Sequence, residues 1–262
     1  MRPIAHLWLL LAILHLPRAG NGQFVQSRAY YYTPNSIHTP YLEQRFDGQF
    51  GIGYSWGGKD KALEIQTLFS PLKRIAFFAN YQQTGNGSVK KSEVPDTRLR
   101  FGEAGLGYYH HSGKGVTSVL AGLGFGSVYN NYGNGQRSDL RMRRWSVQPG
   151  YVYDDQIGFR FGAALRLSNL QFPKGEAVID GLFGEVEIVR RIEEDQPFFL
   201  AELGLAPSAL VGPFVFKLQL TFTLISLDDI RFARQAFNIA LAYDLCNARR
   251  GRDAAKERQG SR

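Results

Sequence analysis

Catalysis and metal binding need side chains that carry a proton or donate a lone pair, and this chain holds few. It has five histidines and one cysteine in 262 residues. His6 and His15 lie in an apolar N-terminal run, His38 precedes the first strand pattern, and His110 and His111 are adjacent. Neighbouring residues on a strand point to opposite sides, so the adjacent pair, with no cysteine or third ligand near it, reads as turn residues and not as a metal site. Cys246 has no partner for an internal disulfide. Gly122-Leu123-Gly124-Phe125-Gly126 has the glycines of a nucleotide loop but lacks the following helix and lysine, so it reads as a glycine-lined strand face. Tyr30-Tyr31-Tyr32 could stack on a sugar or polymer and is read instead as an anchor for the N-terminal segment at the inner rim. Asp96, Asp139, Asp180, Asp228 and Asp229 have no partner fixed by spacing. No catalytic, cofactor-binding or metal-binding residue is expected.

The informative chemistry is electrostatic, and it depends on the strands that carry it. Phe46, Gly48, Phe50, Ile52, Tyr54 and Trp56 alternate with polar or small residues, as do Phe214 to Leu224 and Ile157 to Leu167. A period of two with one oily and one polar face is a half-buried strand. Weaker runs cover Ala62 to Ser70, Arg74 to Gln82, Arg98 to Tyr109, Val116 to Tyr129, Arg144 to Val152, Phe198 to Val211 and Ala236 to Leu245, giving ten strands. A soluble sandwich shows the same period. Spanning length, aromatics near strand ends (Trp56, Tyr81, Tyr108, Tyr129, Trp145, Tyr243) and glycine-rich polar faces favour a membrane barrel. The expected fold is all-β, a transmembrane antiparallel up-and-down barrel.

An even strand number with a periplasmic start places both termini in the periplasm. The turns at Ser70 to Lys73, His110 to Gly115, Tyr153 to Gln156 and Gly212-Pro213 then face inward. The connections Gly57 to Lys61, Gln83 to Thr97, Asn130 to Arg143, Ser168 to Pro197 and Ile225 to Gln235 face outward. Gly181 to Arg191 is compatible with a strand or a short helix and is kept within its loop, since an eleventh strand would break the even count.

Six charges then fall on the inner face: Glu64, Glu103 and Glu202 against Arg160, Arg166 and Lys217. Unpaired buried charge is costly, and a ten-stranded lumen is scarcely wider than side chains fill, so a paired, plugged interior is expected. The outer rim gathers Lys90, Lys91, Arg98, Arg100, Arg137, Arg141, Arg143 and Arg144, candidate contacts for lipopolysaccharide phosphate, the plainer alternative being solvated loop charge.

The N-terminus supports export. Met1-Arg2-Pro3 precedes an apolar run from Ile4 to Leu16, and Pro17 to Gly22 supplies small residues, the pattern of a cleaved signal over residues 1–22. The run is shorter than a spanning helix needs. Residues 23–45 read as a periplasmic segment, 46–245 as the barrel, and 246–262 as a basic tail whose composition is that of a disordered chain. The net charge of +8 points, in an exported chain, to anionic lipid before nucleic acid.

Several short motifs in order complete the pattern: Tyr32-Thr33-Pro34-Asn35 before the first strand, Leu68-Phe69-Ser70-Pro71-Leu72, Ala79-Asn80-Tyr81, Phe101-Gly102-Glu103-Ala104-Gly105-Leu106-Gly107-Tyr108-Tyr109, Gln148-Pro149 and Phe237-Asn238-Ile239-Ala240-Leu241. In that order the chain resembles uncharacterised ten-stranded outer-membrane β-barrel proteins of Bacteroidetes-type bacteria over Tyr32 to Leu245. The resemblance implies an outer-membrane barrel and no known activity. Many of those proteins begin with a lipidated cysteine and end at the last strand, and this chain does neither. Small-barrel enzymes use a histidine base near the outer rim, and no outward connection here holds a histidine. The expected function is a non-enzymatic envelope role for a filled barrel, assembled by the barrel-assembly machinery. A narrow solute channel is the alternative and a rim enzyme the third reading.

Overall fold

The structure is a computed structural model, which describes residues 31–57, 60–85, 96–179, 190, 192, 194, 197–226 and 232–251. Ten strands follow in order: β1 (Gly48–Gly57), β2 (Asp60–Leu72), β3 (Ile75–Thr84), β4 (Asp96–Ser112), β5 (Gly115–Gly133), β6 (Gln136–Asp154), β7 (Phe159–Val178), β8 (Phe198–Val211), β9 (Phe214–Ser226) and β10 (Gln235–Asp244). Each pairs antiparallel with its neighbours, and β1 pairs with β10 from Gln49↔Asp244 to Gly57↔Ala236, closing the barrel. Closure leaves no unpaired sheet edge. A short helix α1 (residues 245–251) follows β10. Connections after even strands form one end, termed the turn end, and those after odd strands form the loop end.

Phe50, Ile52, Phe77, Leu106, Trp145, Val147, Phe216 and Leu241 stand exposed on the outer wall, while Glu64, Glu103, Arg166 and Glu202 are buried inside. This inside-out arrangement is that of a wall facing lipid. On β4, β6 and β7 it inverts near the loop end. There Leu99, Phe101, Leu140, Met142, Leu170 and Phe172 turn inward into one buried cluster, while Arg98, Arg100, Arg137, Arg141 and Lys174 are exposed outside. The period of two persists and its polarity reverses, as it must where the outer medium changes from lipid to water.

That inversion corrects two expectations. Asn130 to Arg143 is not a loop: β5 and β6 continue and meet in a two-residue turn at Asn134 and Gly135, whose φ values of 52° and 82° are those of the left-handed hairpin turn that Asn-Gly favours. Ser168 to Val178 likewise extends β7. Strands β4 to β7 have 17 to 20 residues, well beyond the ~9–11 that cross a bilayer, so this side rises above the apolar belt. Gly181 to Arg191 lies, apart from Arg190, outside the described residues, as do the expected signal and residues 252–262.

The largest departure concerns residues 31–42. Expected as part of a periplasmic segment, they run inside the barrel, every one of them buried. Tyr31 and Tyr32 sit in the apolar cluster at the loop end, and Tyr31 Oη lies 2.7 Å from Tyr132 Oη. Tyr41 and Leu42 sit in a second apolar cluster at the turn end with Leu68, Tyr109, Val152 and Cys246. Small inward residues make the room: a Cβ on Gly162 would lie 2.7 Å from Thr39, and one on Gly204 2.9 Å from Ile37. A bore lined so sparsely must be filled, because an empty one forfeits its contacts. The first and last described residues are therefore at opposite ends of the barrel, not on one side.

Gly162→Val should drive its side chain into Thr39 and lower the temperature at which the folded band converts to the unfolded band on a gel. Adding Thr39→Gly should restore most of the loss. Equal behaviour of Gly162→Val and wild type would show that the segment does not press on this wall.

Candidate functional site

The site is the filled lumen. Segment 31–42 contains no aspartate, glutamate, lysine or arginine, and Pro34 and Pro40 bring no backbone N–H into a space with little water. Wall side chains meet four of its backbone groups. Glu64 accepts from the Ser36 amide at 3.1 Å, Arg166 donates to the Asn35 carbonyl at 3.0 Å, and the Gln148 side chain bonds both backbone groups of His38, at 3.3 and 2.5 Å. Gln148 thus acts as a strand partner would.

All six charges expected inside are inside and buried. The structure joins only one of the expected pairings directly: Arg166 donates to Glu202 at 2.7 Å. Glu103 is served by Arg144 at 2.8 Å, Ser146 at 2.6 Å and Asn80 at 3.1 Å. Arg144 also donates to the Tyr32 hydroxyl, which donates to Glu202 at 3.2 Å. One chain of bonds therefore crosses the lumen from β4 through β6, the inserted segment and β8 to β7, with Tyr32 as its central link. Arg160 pairs with Asp154 at 3.1 Å and Asp244 at 2.6 Å, and its guanidinium lies 3.9 Å over the Tyr41 ring. Lys217 Nζ approaches Gln49 Oε1 at 3.5 Å, and Glu64 also accepts from Gln82 at 3.2 Å.

Arg144 corrects the rim assignment. It is fully buried, because it shares parity with Ser146 and Gln148 while Trp145 and Val147 face out. The other rim residues divide. Lys90 and Lys91 lie outside the described residues; Arg98 is outward and paired with Asp96 at 3.1 Å; Arg100, Arg137, Arg141 and Arg143 are outward, Arg143 bonding Gln171 at 2.6 Å. Asp154, Asp244 and Tyr32, unassigned from sequence, complete the network; the parity of β6 and β10 carried the signal for the two aspartates.

The turn end is latched. Instead of starting a disordered tail, residues 246–251 belong to α1, since Arg249 pairs with Asp47 and Glu43, and Arg250 with Glu43 and, at 3.1 Å, Asp154. Burial raises the Glu43 carboxyl, but hydrogen bonds from Arg250 and Cys246 and the charge of Arg250 outweigh it and hold the group below its ordinary value. Burial first, then Asp47 and Glu43, push the Cys246 thiol up; the protonated thiol donates to Glu43 at 3.1 Å. Glu43, Asp47 and Cys246 lie close enough to suggest a metal site, but the two arginines already neutralise the carboxylates.

A closed wall with an apolar exterior and a polar, charge-paired interior defines a transmembrane β-barrel. Solved structures similar to the chain include the KdgM porin, alone and in complex with disordered oligogalacturonate, each at a TM-score of 0.33 and 10% identity over 74% of this chain and 98% of that one. Another is CdiB from Acinetobacter baumannii, at a TM-score of 0.22 and 11% identity over 77% of this chain and 60% of that one. No family model and no curated protein matches the chain.

Arg144→Met should cost about 3–5 kcal/mol by leaving Glu103 buried without its cation, and Arg144→Met with Glu103→Leu should recover most of that. Urea unfolding followed by gel mobility reads both. The latch should depend on pH. Because the Glu43 pKa is depressed, its contribution is present above the ordinary carboxylate range and is lost as pH falls through the lowered folded value. A disulfide reagent active in acid should leave Cys246 untouched at neutral pH and modify it in strong acid; modification at equal rates in both would contradict the latch.

Proposed function

We propose that the chain is an outer-membrane barrel, related to the Bacteroidetes-type ten-stranded proteins, that does not conduct in its resting form and serves as a structural or interaction platform at the cell envelope. The observation that carries this reading is the run of segment 31–42 through the bore from end to end, with an apolar cluster at each end. The loop end faces outward and the turn end faces the periplasm, where the barrel-assembly machinery delivers it. The reading is non-enzymatic: His38 is enclosed in the lumen and His110 and His111 are at the turn end, far from the outward rim.

Tyr31 marks the loop end of segment 31–42, beside Tyr132 of the β5–β6 hairpin, while α1 closes the periplasmic end. Twelve residues reach at most about 40 Å, enough to cross a hydrocarbon core of ~30 Å.

A second reading, a solute channel, is favoured by one observation. Beside the segment lies a cavity of about 20 Å³ lined by Lys217, Glu64, Gln66 and Asn238, and the side-chain nitrogens of Gln66 and Asn238 have no partner among the described residues. The seam between segment and wall is incompletely satisfied there, so displacement of the segment would open a charged path.

Purified protein in a planar bilayer should give no steady current, and deletion of residues 31–42 should produce one. Steady ohmic current from the intact chain would establish the channel instead. In a Cys246→Ser background, Asn134→Cys should react with an impermeant maleimide on intact cells and Lys114→Cys should not. Labelling of Lys114→Cys with protection of Asn134→Cys would contradict the outward loop end.

A further inference from the structure

The outer wall carries a second feature that the filled lumen does not use. Across β4, β5, β6, β7 and β8 the outward residues Ala104, Leu123, Trp145, Asn169 and Phe199 are register partners in one row. Small side chains between large ones leave a groove of about 870 Å³, lined among others by Ala104, Leu106, Leu123, Trp145, Leu167 and Phe199. Its lining is almost wholly apolar. Two residues further toward the loop end, Phe125 pairs with Arg143 and Arg143 with Gln171, and one step beyond that Arg100, Ser127, Arg141 and Lys174 form the next row.

Four cations thus stand directly above an apolar groove, at the level where the wall's polarity inverts. Among the described residues none of the four has an ion-pair partner. The carboxylates of the following row, Asp139 and Glu176, lie a further step from the belt. With strands spaced ~4.8 Å, Arg100 and Arg141 are about 10 Å apart and Lys174 about 5 Å beyond. Such a row matches more than one phosphate, and guanidinium groups bind phosphate through two parallel bonds.

We propose that this face binds one phosphorylated, multi-acyl glycolipid of the outer leaflet, the lipid A part of lipopolysaccharide. Acyl chains lie in the groove against Trp145, Leu123 and Leu106, and the phosphates rest on Arg100, Arg141 and Lys174, with Arg143 held in place by Gln171. A phospholipid with a single phosphate would leave cations of the row unmatched. The proposal rests on the reading that the loop end faces outward.

Native mass spectrometry of the full-length barrel in detergent, titrated with bisphosphorylated lipid A, its dephosphorylated form and phosphatidylglycerol, tests it. The expected result is a one-to-one adduct with bisphosphorylated lipid A. The Arg100→Gln, Arg141→Gln, Lys174→Gln triple variant should bind at least about tenfold more weakly, and so should Ala104→Phe, which fills the groove and keeps every cation. Heat-dependent gel mobility verifies that both variants are folded. The proposal is overturned by no adduct with wild type, by either folded variant binding as wild type does, or by phosphatidylglycerol binding equally well. Labelling of Asn134→Cys on intact cells separates the two readings: an outward label with no adduct removes only the lipid site, whereas an adduct with an inward label removes the outer-leaflet source and the orientation together.

Discussion

Closing ten strands on themselves removes every sheet edge and creates an interior that cannot be left empty. In this chain the wall contributes few bulky inward side chains along the middle of the bore. Gly51, Gly53, Gly57, Gly162 and Gly204 all point that way, and each gives up side-chain volume. The volume is returned by twelve residues of the same chain. Filling the bore with backbone raises its own difficulty, because backbone amides and carbonyls taken out of water need partners. Glu64, Gln148 and Arg166 are those partners, which is why so many polar side chains face a space with so little solvent.

The electrostatics follow from the same constraint. Arg144 and Arg166 are among the largest fully buried side chains of the described residues, and each donates to the Tyr32 hydroxyl. The inserted segment is therefore one member of a bonded set whose other members lie on four different strands. Removing it would take the Tyr32 link away from two arginine–glutamate pairs at once. At the turn end α1 ties Glu43 and Asp47 to the wall through Arg249 and Arg250, so the segment is held from below as well as from within. Buried networks of this kind do not by themselves imply extra stability; their effect here is to fix one arrangement of segment and wall.

The ten strands were legible because each membrane-facing stretch alternates with the same phase, Phe50, Ile52 and Tyr54 out with Gly51, Gly53 and Ser55 in. Legibility failed where the medium changes. Above the belt Leu140 and Met142 face in and Arg141 and Arg143 face out, so a reading that seeks oily residues outside takes the strand to end at Arg144 and counts that arginine with the rim. Parity would have corrected it, as would the Asn134-Gly135 pair, which marks a tight hairpin in the middle of what reads as a long loop. The inner charges Glu64, Glu103, Glu202, Arg160, Arg166 and Lys217 were legible from phase, whereas their partners were not, because pairing depends on strand stagger and on a segment outside the alternation. The insertion itself left one trace, an uncharged run from Tyr31 to Leu42 in a chain that is 21% charged. Composition of that kind marks a desolvated segment without saying what surrounds it.

The central claim is that residues 31–42 lie inside the barrel in a fixed register, and a disulfide across the seam tests it most directly. A Cβ on Gly204 would stand 3.0 Å from that of Ile37, within a small adjustment of the ~3.8 Å typical of a disulfide. In a Cys246→Ser background, Ile37→Cys with Gly204→Cys should oxidise nearly completely in the folded protein, read by mass spectrometry of the linked peptides. The contradicting result is free thiols in that pair while the wall pair Ala164→Cys with Gly204→Cys, register partners on β7 and β8, oxidises under the same conditions.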